Sequence, residues 1–188
     1  MKKGILIVLS GPSGVGKGTC IKQFINDPEL NLAYSVSMTT REPRDGEIDG
    51  VNYHFVSKER FREAISNEEL LEWAEFVGNY YGTPLASVNK LLDEGKNVIL
   101  EIEVEGAKLV RSKCPESLTI FITPPNLNEL RKRIENRSTE TVEVIHERLA
   151  KAEKEIMLQC NYKYVVCNDD PKLASEIIKL IIHKHIHL

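Results

Sequence analysis

The sequence has no long apolar run, little cysteine and no excess of positive charge, and each absence excludes a class. No stretch approaches the roughly 18 apolar residues of a membrane-spanning helix, so no membrane association is expected. The chain opens Met1-Lys2-Lys3-Gly4 and passes into an apolar run too short for a secretory leader, without a small-residue cleavage site. The four cysteines, Cys20, Cys114, Cys160 and Cys167, form no C-x-x-C pair. That argues against a disulfide framework or zinc site and predicts a reduced, cytoplasmic protein. A formal net charge of −3 leaves no basic footprint for nucleic acid. There is no internal repeat and no low-complexity segment. What remains is a chain of 188 residues, 41% hydrophobic and 28% charged, enough for one globular domain with a sizeable core.

The strongest local signal lies near the start. An apolar run over 5–9 is followed by Ser10 and then by Gly11-Pro12-Ser13-Gly14-Val15-Gly16-Lys17-Gly18-Thr19. Strand, glycine-rich loop and helix start in that order, with Gly11, Gly16 and Lys17 at the G-x-x-x-x-G-K positions, predict a phosphate-cradling loop. Glycines let backbone N–H groups converge on an anion. The following helix adds the positive end of its dipole, and Lys17 adds a mobile cation for the β- and γ-phosphates. One position departs from the pattern. The hydroxyl expected directly after the lysine, a Mg²⁺ ligand, is replaced by Gly18, and Thr19 carries it one residue later. The GKGT form resembles that of nucleoside monophosphate kinases, which implies that Thr19 faces the metal, directly or through water.

Apolar runs over 5–9, 97–102, 118–122 and 164–167 predict strands covered on both faces. Helices are predicted over 17–24, 57–67, 85–94, 127–136, 142–159 and 171–183. In the fifth, Val142, Ile145, Leu149, Ala152 and Ile156 form an amphipathic stripe. The alternation gives an α/β fold with a parallel, doubly wound sheet. The expected core spans about 1–32, 85–125 and 156–188. Residues 33–84 read as an inserted small mixed α/β subdomain, and 126–155 as an arginine-rich helical lid after Pro124-Pro125. Such appendages suit phosphoryl transfer between two small molecules, one capturing the acceptor and one closing over the donor.

The inserted segment carries a second constellation. Arg41 and Arg44 flank a proline, and Tyr53 follows nine residues on. The arginine forks suit a phosphate and the phenol adds a further donor. Two solvated arginines and a core tyrosine explain the same residues equally well. Read by itself, Glu72 is an exposed helix residue sharing a polar face with Glu69. Glu101 and Glu103 end an apolar strand, where a metal-binding carboxylate belongs, or where a strand simply becomes exposed.

Taken together, the segments resolve these alternatives. SVSMTTREPRDGEIDGVNY from Ser35 to Tyr53, LEWA at 71–74, GNYYGT at 78–83, LEIEVEGA at 100–107, RSTET at 137–141 and VVCNDD at 165–170 resemble the guanylate kinase family over nearly the whole chain. The resemblance implies ATP:GMP phosphotransfer with Mg²⁺, giving ADP and GDP, with dGMP as a further expected acceptor. Neither nucleic acid nor an obligatory protein partner is expected.

The resemblance also implies residue roles. Arg41, Arg44, Tyr53 and Tyr81 hold the acceptor phosphate; Glu72, Ser37 and Thr83 read guanine. Glu103 lies near the acceptor and the metal, and Glu101 beside it, where many family members carry Asp. The loop residues from Gly11 to Thr19, with Arg133, Asn168 and Asp169, surround ATP. Lys17, Arg137, Arg148 and Arg44 act on the transferring phosphoryl group. Ser138 replaces the family's usual glycine, a change expected to affect hinge freedom.

Overall fold

The computed structural model describes residues 2–76, 78–136 and 141–187. In chain order the elements are β1 (Leu6–Ser10), α1 (Lys17–Ile21), β2 (Leu32–Tyr34), β3 (Met38–Thr39), β4 (His54–Phe55), α2 (Lys58–Ser66), β5 (Leu70–Phe76) and β6 (Asn79–Pro84). They continue as α3 (Leu85–Asp93), β7 (Asn97–Glu101), α4 (Val104–Lys113), β8 (Leu118–Thr123), α5 (Leu127–Glu135), α6 (Val142–Ile156), β9 (Tyr164–Cys167) and α7 (Pro171–Ile186).

Five strands form a parallel sheet in the order β2-β7-β1-β8-β9. All five residues of β1 are buried, because both sheet faces are covered by helices. Alternate residues feed opposite cores. Ile7, Leu9, Ile99, Ile120 and Ile122 pack with α1, α5, α6 and α7. Leu6, Val8, Val98, Leu100 and Phe121 pack with α3 and α4. The chain leaves β1 toward β7 on one side and returns to β8 on the other. The carboxyl end of β1 is thus the topological switch point, where doubly wound sheets bind ligands.

The second sheet has the order β4-β3-β6-β5, with β5 and β6 antiparallel and β3 and β4 parallel. It closes a small core of Met38, Phe61, Ala64 and Leu70 under α2. Leu71, the next residue of β5, enters the main core instead. Lys113 Nζ, at the end of α4, donates to the Leu70 carbonyl at 3.1 Å. So α4 joins the two sheets.

Two elements of the parallel core are absent from the sequence reading. β2 extends the parallel sheet to Tyr34, and α4 follows β7 directly. Two predicted helices also differ in detail. α1 stops at Ile21 and continues as turns, with Gln23 and Phe24 N–H bonding three residues back. On α6 the buried face is Ile145, Leu149, Ala152 and Glu155; Val142 is exposed.

Candidate functional site

A cleft of about 640 Å³ runs from the β1–α1 loop to the inside of the second sheet. Ser13, Gly14, Gly16, Lys17 and Gly18 line one end; Ser37, Arg41, Arg44, Tyr53, Glu72, Tyr81 and Thr83 line the other, with Glu101 and Glu103 between. The residues read as donor-side and acceptor-side therefore share one cavity.

The loop is built from β1 upward. Gly16 caps α1 at φ 98°, a left-handed conformation that favours glycine, and a Cβ there would stand 2.7 Å from Asn168 Nδ2. Lys17 is buried, and its Nζ donates to the Gly11 carbonyl at 2.7 Å and the Pro12 carbonyl at 3.4 Å. The ammonium is thus folded back onto its own loop at the mouth of the cleft.

Asn168 is buried and does not line the cleft. Its Nδ2 donates to the Val15 carbonyl at 2.8 Å, bracing the loop from behind. Arg133 donates to the Asn168 carbonyl at 2.8 Å and to the Asp169 carbonyl at 3.4 Å. It therefore ties α5 to the loop after β9. Thr19 is exposed and lies outside the cleft lining, whereas Gly18 is within it. A Cβ at Gly18 would lie 3.4 Å from both Glu101 carboxylate oxygens, so Glu101 stands over the residue that lacks the hydroxyl. Desolvation raises the Glu101 pKa, and the Lys17 charge opposes the shift.

Beside the second sheet, Arg41 Nη2 contacts both Glu47 oxygens at 2.9 Å. Glu47 also accepts from the Arg44 N–H at 2.8 Å. One carboxylate thereby organises both arginines. Arg41 also stands over the Tyr53 ring, 5.5 Å from its centroid, and Tyr53 meets Tyr81 edge-on at 6.1 Å.

Glu72 is not the exposed helix residue that its own context suggested. It sits on β5 opposite Thr83 of β6, 4% exposed. The Thr83 hydroxyl donates to Glu72 Oε1 at 2.5 Å. Burial pushes the Glu72 pKa up to about 7, against the opposing effects of Thr83 and of the Lys113 charge. A hydroxyl and a buried carboxylate pointing into a cleft form a hydrogen-bonding edge suited to a polar heterocycle.

From α6, Arg148 Nη2 donates to Ser13 Oγ at 2.9 Å. Lys151 lies 3.4 Å from Glu103, 3.5 Å from Glu155 and 5.1 Å from the Phe76 ring centroid. Arg137 and Ser138 lie outside the described residues. Lys151, Glu47, Tyr34 and Phe76 belong to this neighbourhood and are missing from the sequence reading. Only Glu47 left a usable signal, a carboxylate three residues after Arg44.

Comparison with known proteins gives consistent results. A family model described as guanylate kinase matches residues 3–185. The guanylate kinase of Bacillus cereus is 56% identical over 181 residues, covering 96% of this chain and 88% of the relative. That of Enterococcus faecalis is 55% identical, with 96% and 89% covered. The crystal structure of guanylate kinase from Anaplasma phagocytophilum superposes with a TM-score of 0.77 at 33% identity. It covers 98% of this chain and 87% of that one.

Proposed function

Because the chain belongs to the guanylate kinase family and transfers a phosphoryl group from ATP to GMP, we propose that the two ends of the cleft divide the work between donor and acceptor. The β1–α1 loop receives the ATP phosphates through its backbone N–H groups and Lys17. Arg41, Arg44, Tyr53 and Tyr81 receive the GMP phosphate. Arg148 from α6, with Arg137, adds positive charge around the γ-phosphoryl group. The bond from that phosphorus to the β–γ bridging oxygen breaks as one forms to a GMP phosphate oxygen. A phosphate monoester is largely dianionic near neutral pH, so no general base is required. Catalysis is alignment plus neutralisation of charge on the equatorial oxygens. Asn168 and Arg133 serve by bracing the loop.

Base choice falls to Glu72, with Ser37 and Thr83. An ionised Glu72 accepts from guanine N1–H and the 2-amino group together, which adenine cannot match. A buried hydrogen-bonding group left unpaired strongly rejects the wrong base. The observation that carries this reading is the buried Glu72–Thr83 contact in the wall of the cleft that Lys17 also lines.

Mg²⁺ fits the residues present. Among the described residues no cluster of three or more candidate ligands forms a closed metal cage. Glu101 and Glu103 do bring carboxylates to the cleft between loop and acceptor site. Mg²⁺ is commonly held by one or two carboxylates plus substrate phosphates. Glu101 and Glu103 would hold it, directly or through water, and it would offset phosphate charge when bound with ATP. No helix among the described residues is long and apolar enough to cross a membrane. The unpaired cysteines support placing the enzyme in the cytoplasm.

The test is an ADP-release assay with ATP, Mg²⁺ and each of GMP, AMP, CMP and UMP. Turnover should be fast with GMP alone. Lys17→Met should lower kcat by about 10²-fold or more, and Arg44→Met should mainly raise the KM for GMP. An Arg44→Met enzyme with an unaltered KM for GMP would remove the acceptor-side assignment.

A further inference from the structure

We propose that Gly106, which does not contact the reacting groups, is a positioning residue for base recognition: its missing side chain is the space in which the Glu72 carboxylate is held. The inference rests on the reading of Glu72 as the guanine-recognising residue.

Gly106 is the third residue of α4 and is buried, within a first turn that also buries Val104 and Ala107. Glycine inside a helix is unfavourable by about 0.5–1 kcal/mol relative to alanine. Its φ lies outside the left-handed region, so backbone conformation does not demand glycine. Space does. A Cβ at 106 would stand 2.3 Å from Glu72 Oε2, 3.1 Å from its Cδ and 3.7 Å from its Cγ. The three nearest atoms all belong to Glu72.

A methyl group could be accommodated only if the helix or the carboxylate moved. The helix is fixed by Val104, Ala107 and Val110, each 1% exposed or less, and by the Lys113 bond to β5. The carboxylate is the end of a side chain, held on its other side by Thr83. It would therefore yield, by roughly an ångström, and a misplacement of that size in a binding constellation can cost about 10²-fold. The wall is also supplied by the main core to a residue of the second sheet. Gly106 thus sets the position of the base-reading group relative to the phosphate loop.

The test combines kinetics with a stability cycle. In Gly106→Ala the KM for GMP should rise about tenfold or more. The KM for ATP should stay within about twofold, and the preference for GMP over IMP, which lacks the 2-amino group, should narrow. Adding Glu72→Asp, one methylene shorter, should recover part of the lost GMP affinity. Gly106→Ala should lower Tm in the native background but not in a Glu72→Ala background, where helix propensity favours alanine. An unchanged KM and preference, or an equal Tm loss in both backgrounds, would overturn the role of Gly106. Glu72→Gln separates the two layers. An unchanged GMP preference in that variant overturns the assignment of Glu72 itself. A changed preference beside an unaffected Gly106→Ala overturns the role of Gly106 alone.

Discussion

At the residue scale, the main energetic conflict is at Glu72. Burial favours its protonated form, whereas the proposed guanine recognition needs the carboxylate. With a pKa raised from 4.5 to about 7, the fraction ready to accept guanine increases with pH through neutrality. kcat/KM for GMP should therefore climb between about pH 6 and 8, while the KM for ATP does not follow that curve. Stability should move the opposite way. The folded protein keeps a proton that the unfolded chain releases between about pH 4.5 and 7, so this group lowers stability as pH rises through that window and has a constant effect above it. Glu72→Gln should remove that slope from a Tm-against-pH series and match or exceed the native Tm at pH 8, at the expense of GMP affinity. The sequence revealed Glu72 only through its motif. Its charge and neighbours pointed to an exposed helix, because a buried carboxylate opposite Thr83 depends on a strand pairing between residues 11 apart.

At the element scale, the segment between β3 and β4 is preorganised by Glu47. This carboxylate grips the Arg41 guanidinium at two contacts and the Arg44 backbone N–H at a third, so the Arg41 cation and the Arg44 backbone stay in place before an anion arrives. Glu47→Gln keeps the shape and removes the charge. The KM for GMP should rise on the order of fivefold with kcat less affected, as expected when a charge-assisted contact orients a binding group. Initial-rate kinetics at saturating ATP would check this. The apolar runs of β1, β7 and β8 were legible because both sheet faces are covered; β9, expected to be covered likewise, is an edge strand on which only Val166 is buried. α4 was not, since Gly106 interrupts its first turn and reads as a breaker. β2 is short and incompletely buried, so it carries no apolar run to reveal it.

At the scale of the whole molecule, α6, the carboxyl ends of the parallel sheet and the second sheet meet over the cleft. Lys151 of α6 links Glu103 at the sheet end, Glu155 on its own helix and Phe76 of the second sheet. Arg148 reaches Ser13 of the phosphate loop. Nucleotide phosphates compete for the same cations, so donor and acceptor together should draw α6 and the second sheet toward the phosphate loop. Small-angle scattering should record a smaller radius of gyration with GMP plus a non-hydrolysable ATP analogue than with either alone. Equal radii in the three states would count against closure. The parallel core was readable from periodicity, but the meeting of its appendages was not, because those contacts join segments tens of residues apart.

The most direct measurement is kcat/KM for GMP, IMP and AMP in the native enzyme and in Glu72→Gln, at pH 8, where Glu72 is mostly ionised. The account predicts a strong native preference for GMP, and a variant that loses most of its advantage for GMP over IMP while its KM for ATP holds. An undiminished GMP preference in the variant would contradict the account, because guanine would then be read by residues other than Glu72.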